Sequence, residues 1–246
     1  MQKKILIGAH RGAMCHAPEN TLAAFEKAIA FGTYRIEFDV RRCQDGPLVV
    51  IHDATVDRTT DGTGPVANFT LEALKRLRVG GEAAETIPTF QEALQSLKGR
   101  ARLLVEIKDA GIAEDVVAQI ADAGMEDTCT IASFLEDELL RVKHCNPNLA
   151  TAYFLTEPKA FSAEEVIQRL GVSLLVVWPR AASAEIIADA KRCGLHVRCG
   201  FRDDMTYEET FAVFRRLADW GVDEIACGRP DWIGKMADEY ANAPSV

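Results

Sequence analysis

A chain of 246 residues with 48% hydrophobic and 26% charged side chains has the composition of a folded domain with a substantial core, which excludes disordered, collagen-like and disulfide-scaffold classes. Its 37 acidic residues outnumber 28 basic ones for a net charge of −9, and no Lys/Arg run exceeds two, so nucleic-acid and anionic-membrane binding are disfavoured. An anionic substrate would have to be met by local positive charge.

The opening Ile5–Gly8 stretch is apolar but too short for a signal-peptide core or a membrane span. Cysteines at 15, 43, 129, 145, 193, 199 and 227 are odd in number and contain no Cys-x-x-Cys pair, so they read as reduced thiols, most of them buried. The expected compartment is the cytoplasm.

Short apolar runs alternate with segments of helical period along the chain. Eight core strands are expected, at Lys4–Ala9, Tyr34–Val40, Arg102–Ile107, Thr128–Ala132, Ala150–Phe154, Val172–Val177, Leu195–Cys199 and Asp223–Cys227, each followed by a helix. Ile112, Val116 and Ile120 form a helical stripe that Gly124 stops. Thr206 with Glu209 is a capping box, followed by the face Phe211, Phe214, Leu217 and Ala218 with Gly221 at its end, and Pro230 suits a first helical turn. Eight βα units in one chain of this length match a (β/α)₈ TIM barrel occupying residues 1–246 as a single domain. One segment, about 41–88, breaks the rhythm after the second strand. It carries a Leu48–His52 strand, two Gly turns and a helix near Leu71–Leu77, and its position puts it on the barrel's C-terminal face, where such folds build active sites.

Chemistry begins on the second strand. In Ile36-Glu37-Phe38-Asp39-Val40 the acids alternate with apolar residues, so Glu37 and Asp39 share one face. Barrel strands have helices outside and packed side chains inside, which leaves no wet face for these acids. Glu106 and Lys108 likewise share a face at the end of the third strand. Three carboxylates converging from neighbouring strands would repel unless neutralised, and a hard divalent cation, Mg²⁺ or Ca²⁺ with Mn²⁺ as a further candidate, is the economical explanation. The alternative is a buried salt-bridge network in which Lys108 and a neighbouring Arg neutralise the acids without a metal.

Two of the five histidines, His10 and His52, close strands on this same face, and Arg11 adds a guanidinium suited to capturing a phosphate or carboxylate. His16, His144 and His196 read as structural, although His196 and Arg198 share a face that would be luminal. Cys15 and Cys43 lie near the site without an adjoining base and read as packing residues.

Taken in order, His10-Arg11-Gly12, Pro18-Glu19-Asn20-Thr21, Glu37-Phe38-Asp39-Val40, Asp45-Gly46, Val49-Val50-Ile51-His52-Asp53, Asp57-Arg58-Thr59-Thr60 and Glu106-Ile107-Lys108 resemble the glycerophosphodiester phosphodiesterase family, as does the closing Gly228-Arg229-Pro230-Asp231. The resemblance implies a TIM barrel with a small insertion, a divalent metal, and hydrolysis of a glycerophosphodiester to glycerol 3-phosphate and an alcohol. It also implies that Glu37, Asp39 and Glu106 are the metal ligands, His10 and His52 the acid/base pair, and Arg11 and Lys108 the phosphate-holding residues. Attack and departure on opposite sides of phosphorus need separate proton partners, and His10 is assigned as base and His52 as acid, an assignment that could be reversed.

The chain departs from the family where Trp-Thr-Val-Asn is common: it has Cys199-Gly200-Phe201-Arg202, leaving a small residue at Gly200 that would reshape the substrate pocket, with Trp178 as a side chain that could refill it. Two other functions remain open. One is intramolecular transfer giving a cyclic phosphate, as in sphingomyelinase D enzymes, and the other is a non-catalytic barrel that binds a phosphorylated metabolite. The preferred alcohol and the oligomeric state are not set by the sequence, though Phe154 or Trp232, if exposed, would suit an interface.

Overall fold

In the computed structural model, which describes residues 4–81, 85–157, 160–201 and 203–242, the alternation in β2 (Arg35–Arg42) sorts its side chains into two environments. Phe38 points outward and packs its ring on Phe25 of α1 (Leu22–Ala30) and Phe90 of α3 (Phe90–Leu97), with centroids 5.3 and 6.1 Å apart. Glu37 and Asp39 point the other way and are buried in the lumen.

The same division repeats around a closed sheet. β1 (Leu6–Ala9), β2, β4 (Arg102–Ile107), β5 (Cys129–Ser133), β6 (Ala150–Leu155), β7 (Leu174–Val177), β8 (His196–Gly200) and β9 (Glu224–Cys227) pair in parallel, and β1 pairs with both β2 and β9 to close the ring. Helices α4 (Ala113–Ala123), α5 (Glu136–Cys145), α6 (Ala163–Leu170), α7 (Ala184–Arg192) and α8 (Tyr207–Asp219) connect the later strands, and α9 (Pro230–Asn242) follows β9. The molecule is a (β/α)₈ TIM barrel.

The expected signals sit where local physics requires them. Gly124 caps α4 in the left-handed conformation (φ 61°), Thr206 and Glu209 form a reciprocal capping box on α8, and Pro230 begins α9. Boundaries shift by a few residues. The first strand begins at Leu6 rather than Lys4, because residues 4 and 5 make no ladder in the sheet.

Between β2 and α3, β3 (Leu48–Val50) runs antiparallel to the end of β2 and α2 (Leu71–Lys75) covers it, around a small apolar cluster that includes Val49, Ile51, Val56, Leu74 and Ile87. This strand is shorter than the expected Leu48–His52: Ile51 N–H still reaches Asp39 O at 3.0 Å, but His52 lies past the last paired residue. The helix likewise ends at Lys75, with Arg76 as its cap. Residues 82–84 of the 41–88 segment lie outside the described residues.

The lumen is divided. Leu104, Ala132, Ala152, Leu174 and Val176, with Phe154 against them, make one side apolar. Arg35, Glu37, Thr130, Arg198 and Glu224 make the other side polar. Phe154 therefore belongs to the interior rather than to an interface, and Trp232 is half-buried against Tyr207 and Arg229. Among the described residues, no helix is long and apolar enough to cross a membrane.

Candidate active site

Asp39 and Glu106 are register partners between β2 and β4, and Glu37 lies one pleat deeper on β2. The three carboxylates offer oxygens that all lie within 4.8 Å of one another, and all three residues are buried. Lys108 Nζ donates to Glu106 Oε1 at 2.6 Å and lies 3.6 Å from Asp39 Oδ1. That single ammonium does not satisfy the cluster: Asp39 Oδ1 is buried without a hydrogen-bond partner. Burial, with the charge of Asp39 beside it, pushes the Glu106 carboxyl up to about 7, and burial with Asp39 also raises Glu37. A buried oxygen-only donor set with an orphaned carboxylate oxygen fits a hard divalent cation, and Glu37, Asp39 and Glu106 are the residues that would hold it.

The loop after β1 supports this set through backbone strain. Arg11 (φ 52°) and Asn20 (φ 58°) are the two described non-glycine residues at positive φ, and both touch the acids. Arg11 N–H donates to Glu37 Oε2 at 2.8 Å. Asn20 Nδ2 donates to Asp39 Oδ2 at 2.9 Å, while its Oδ1 accepts the Asp39 N–H at 3.4 Å. Between them, Gly12 (φ 76°) is required because a Cβ there would stand 2.8 Å from the Ala24 carbonyl carbon.

His10 lies beyond β1 with Nε2 3.9 Å from Glu37 Oε2 and Nδ1 3.9 Å from Asp203 Oδ2. Burial pulls its imidazole down, but the charge of Glu37 and the Asp203 carboxylate outweigh it, and its value is raised. For His52 burial prevails over the pull of Asp39 and Asp53, and its value is lowered. His52 Nδ1 is 2.6 Å from Asp53 Oδ1, Arg58 Nε donates to Asp53 Oδ2 at 2.6 Å, and the Arg58 fork grips Glu19 at 2.7 and 2.8 Å. Glu19 in turn accepts from Arg11 Nη1 at 2.8 Å, and Arg11 Nε is 3.5 Å from Asp39 Oδ2. A line of alternating charges thus runs from His52 to the metal-type cluster.

The structure gathers all seven residues expected from the sequence at the C-terminal end of the barrel. Arg11 is more engaged than expected, since its guanidinium is already paired with Glu19. Trp178 does not refill the space beside Gly200. It stands edge-on to Phe134 at 6.4 Å, and Phe134 stacks on Phe154 at 4.5 Å, an aromatic group on the β5–β7 side with Lys108 5.9 Å from the Phe134 ring. A Cβ at Gly200 would meet Ala226 O at 3.2 Å, with no other described heavy atom within 4 Å; Arg202 lies outside the described residues.

Below the acids, Arg35 Nε meets Glu224 Oε2 at 2.9 Å, Arg198 also pairs with Glu224, and His196 Nε2 is 3.4 Å from Glu224 Oε2, so the luminal face expected for His196 and Arg198 is present. His16 bonds to Asp231 at 2.8 Å and packs on Phe31, away from the acids. Cys43 donates to Asp45 and its thiol is pushed up to about 11 by burial and that carboxylate, as a packing residue requires.

Sequence reasoning gave no role to Glu19, Asn20, Asp53 and Arg58, although each stands inside one of the family-like motifs. It missed Arg35 and Glu224 in the lumen, though Arg35 lies in the same alternating row as Glu37 and Asp39. Nothing in the sequence marked Asp203.

Residues 10–232 match the model of the glycerophosphoryl diester phosphodiesterase family. A putative glycerophosphodiester phosphodiesterase of Bacillus subtilis is 39% identical over 92% of this chain and 96% of its own. A glycerophosphodiester phosphodiesterase of Caldanaerobacter subterraneus is 43% identical over 59% of this chain, a match spanning 65% of that protein. A solved glycerophosphodiester phosphodiesterase of Agrobacterium tumefaciens superposes with a TM-score of 0.83 at 32% identity, covering 94% of this chain and 99% of that one. An Oleispira antarctica phosphodiesterase, solved with its product sn-glycerol-3-phosphate, gives a TM-score of 0.83 at 27% identity over 95% and 96% of the two chains.

Proposed function

The chain belongs to the glycerophosphoryl diester phosphodiesterase family, and from that premise we propose that it hydrolyses small glycerophosphodiesters to glycerol 3-phosphate and an alcohol with a divalent cation held by Glu37, Asp39 and Glu106. The observation that carries this reading is the buried carboxylate triad with its unpartnered Asp39 oxygen, flanked by a histidine and a lysine. When bound, Mg²⁺ or Ca²⁺ would supply Lewis-acid polarisation of the phosphoryl group.

This chain's own residues do the rest. Lys108, tethered to Glu106, presents an ammonium to the equatorial phosphoryl oxygens, and Arg11, fixed by Glu19, supports the same charge from the β1 side. His10 accepts the proton of the attacking group and His52 donates one to the departing alkoxide. The two rings sit on different segments, one after β1 and one after β3, as separate proton partners require. The product reported with the Oleispira protein supports a phosphomonoester of glycerol as the ligand class. The free thiols support action in a reducing compartment, the cytoplasm.

The test is steady-state release of glycerol 3-phosphate from glycerophosphocholine and glycerophosphoethanolamine with Mg²⁺ or Ca²⁺. Activity abolished by chelation and restored by the added cation is the expected result. Equal turnover after exhaustive chelation would refute the cation's role.

A further inference from the structure

The proposed chemistry uses His10 as a proton acceptor, and the role inferred below for a neighbouring carboxylate rests on that reading, with Nε2, which lies 3.9 Å from Glu37 Oε2, as the atom on the side of the acids. On the opposite side of the ring, Nδ1 lies 3.9 Å from Asp203 Oδ2. Asp203 stands in the loop between β8 and α8, and its other oxygen, Oδ1, accepts the Gly228 N–H from the end of β9 at 2.6 Å. A Cβ at position 228 would sit 2.9 Å from that oxygen, 2.5 Å from Met14 Cγ and 2.9 Å from Cys15 Sγ, so only glycine lets the backbone come this close. The carboxylate is therefore pinned at one oxygen and presents the other to the imidazole.

His52 shows the same arrangement. Its Nδ1 meets Asp53 Oδ1 at 2.6 Å, and the second Asp53 oxygen is held by Arg58 Nε at 2.6 Å. The partner of one ring nitrogen decides which nitrogen carries the proton, and an ionised carboxylate can only accept. A carboxylate anchored at its far oxygen and facing Nδ1 thus keeps a proton on Nδ1 and frees the Nε2 lone pair. The His10 to Asp203 separation is an ion-pair distance rather than a hydrogen bond, and contacts of this kind shorten when substrate fills a site.

We propose that Asp203 is a positioning residue for His10, holding the neutral ring as its Nδ1–H tautomer with Nε2 turned to the reacting group, as Asp53 does for His52. The two histidines are then paired dyads of the same polarity, supplied by two loops distant in sequence. Asp203 acts through the ring and touches no substrate.

The experiment compares wild type, Asp203→Asn, Asp203→Ala, His10→Ala and the His10→Ala/Asp203→Ala double variant. Asp203→Asn keeps an oxygen for the Gly228 N–H and turns an NH₂ donor toward His10 Nδ1, reversing the hydrogen-bond polarity without emptying the site. Nitrogen-15 NMR of the His10 side chain, at a pH where the ring is neutral, should show Nδ1–H in the wild type and Nε2–H in Asp203→Asn, with the melting temperature retained. The kcat of Asp203→Asn should fall roughly 10- to 100-fold with KM within about twofold, and the double variant should be no slower than His10→Ala. An unchanged tautomer and kcat in Asp203→Asn, with turnover abolished in His10→Ala, would overturn the role of Asp203 and leave the proposed function standing. Full turnover in His10→Ala would overturn the proton-transfer role proposed for His10 and this inference with it.

Discussion

Asp39 and Glu106 face each other as register partners between adjacent parallel strands, and Lys108 beside them hydrogen-bonds to only one of the two, Glu106. Asp39 Oδ1 is left buried without a hydrogen-bond partner, an atom that a bound divalent cation would satisfy. Mg²⁺ or Ca²⁺ at a hundred times its dissociation constant should therefore stabilise the protein by about 2.7 kcal/mol, a rise in Tm of about 5 to 10 °C. Asp39→Asn should abolish that rise along with the activity. Differential scanning calorimetry with and without the cation checks both, and an equal cation-induced shift in the variant would place the binding elsewhere.

The division of labour between the histidines is open to a leaving-group experiment. With His52 as acid, His52→Ala should lose about 10²- to 10⁴-fold on substrates with alkoxide leaving groups and far less on a p-nitrophenyl diester, whose leaving group needs no proton. His10→Ala should lose activity on both. The opposite pattern would make His10 the acid and His52 the base.

Asn20 combines a left-handed backbone with a two-point amide clamp on Asp39. Asn20→Gly keeps the backbone conformation and loses the clamp, so it should fold with a penalty of about 1 kcal/mol while cation affinity drops. Asn20→Ala should cost about 2 to 3 kcal/mol, because strain is added to the lost bonds. Urea titration alongside cation binding separates the two effects, and equal stability of the Gly and Ala variants would show that strain at this position is negligible.

Glu224 carries a stability that depends on pH. Burial alone would raise its carboxyl, but Arg198, His196 and Arg35 hold it down at about 2 against an ordinary 4.5. A depressed acid contributes its stability above the unfolded value and loses it as pH falls toward the folded one, here between 4.5 and about 2, an interval of roughly 3 kcal/mol. Glu224→Gln leaves Arg35 and Arg198 without their counter-charge and should cost about 3 to 5 kcal/mol at pH 7. The gap between variant and wild type should narrow as the pH falls through that window. A gap of constant size from pH 7 to pH 3 would contradict the assignment.

The barrel was legible because its signal is repeated: each strand is a short apolar run, and caps such as Gly124 and the Thr206–Glu209 box are local chemistry that tertiary contacts did not override. The convergence of Glu37, Asp39 and Glu106 was legible for the same reason, since alternation on β2 and β4 decides which way an acid points, whereas His10 and His52 were legible only as strand ends on the same face. What stayed hidden depends on long-range closure. Arg58 reaches Glu19 across 39 residues, and Asp203 meets His10 only because β8 and β9 bring the end of the chain beside its beginning. For Trp178 the sequence left open whether it refills the space at Gly200 or simply packs, and only the folded chain shows it edge-on to Phe134.

Hydrolysis at this site is decided by phosphorus-31 NMR of the protein with glycerophosphocholine and Mg²⁺ or Ca²⁺ in ¹⁸O-enriched water, with a chelated sample beside it. The expected spectrum shows cation-dependent glycerol 3-phosphate carrying one ¹⁸O on phosphorus and no cyclic phosphate at the end of the reaction. A cyclic phosphate as the final product would assign the attack to a substrate hydroxyl, and unchanged diester across a panel of glycerophosphodiesters would contradict hydrolysis at the Glu37, Asp39 and Glu106 site.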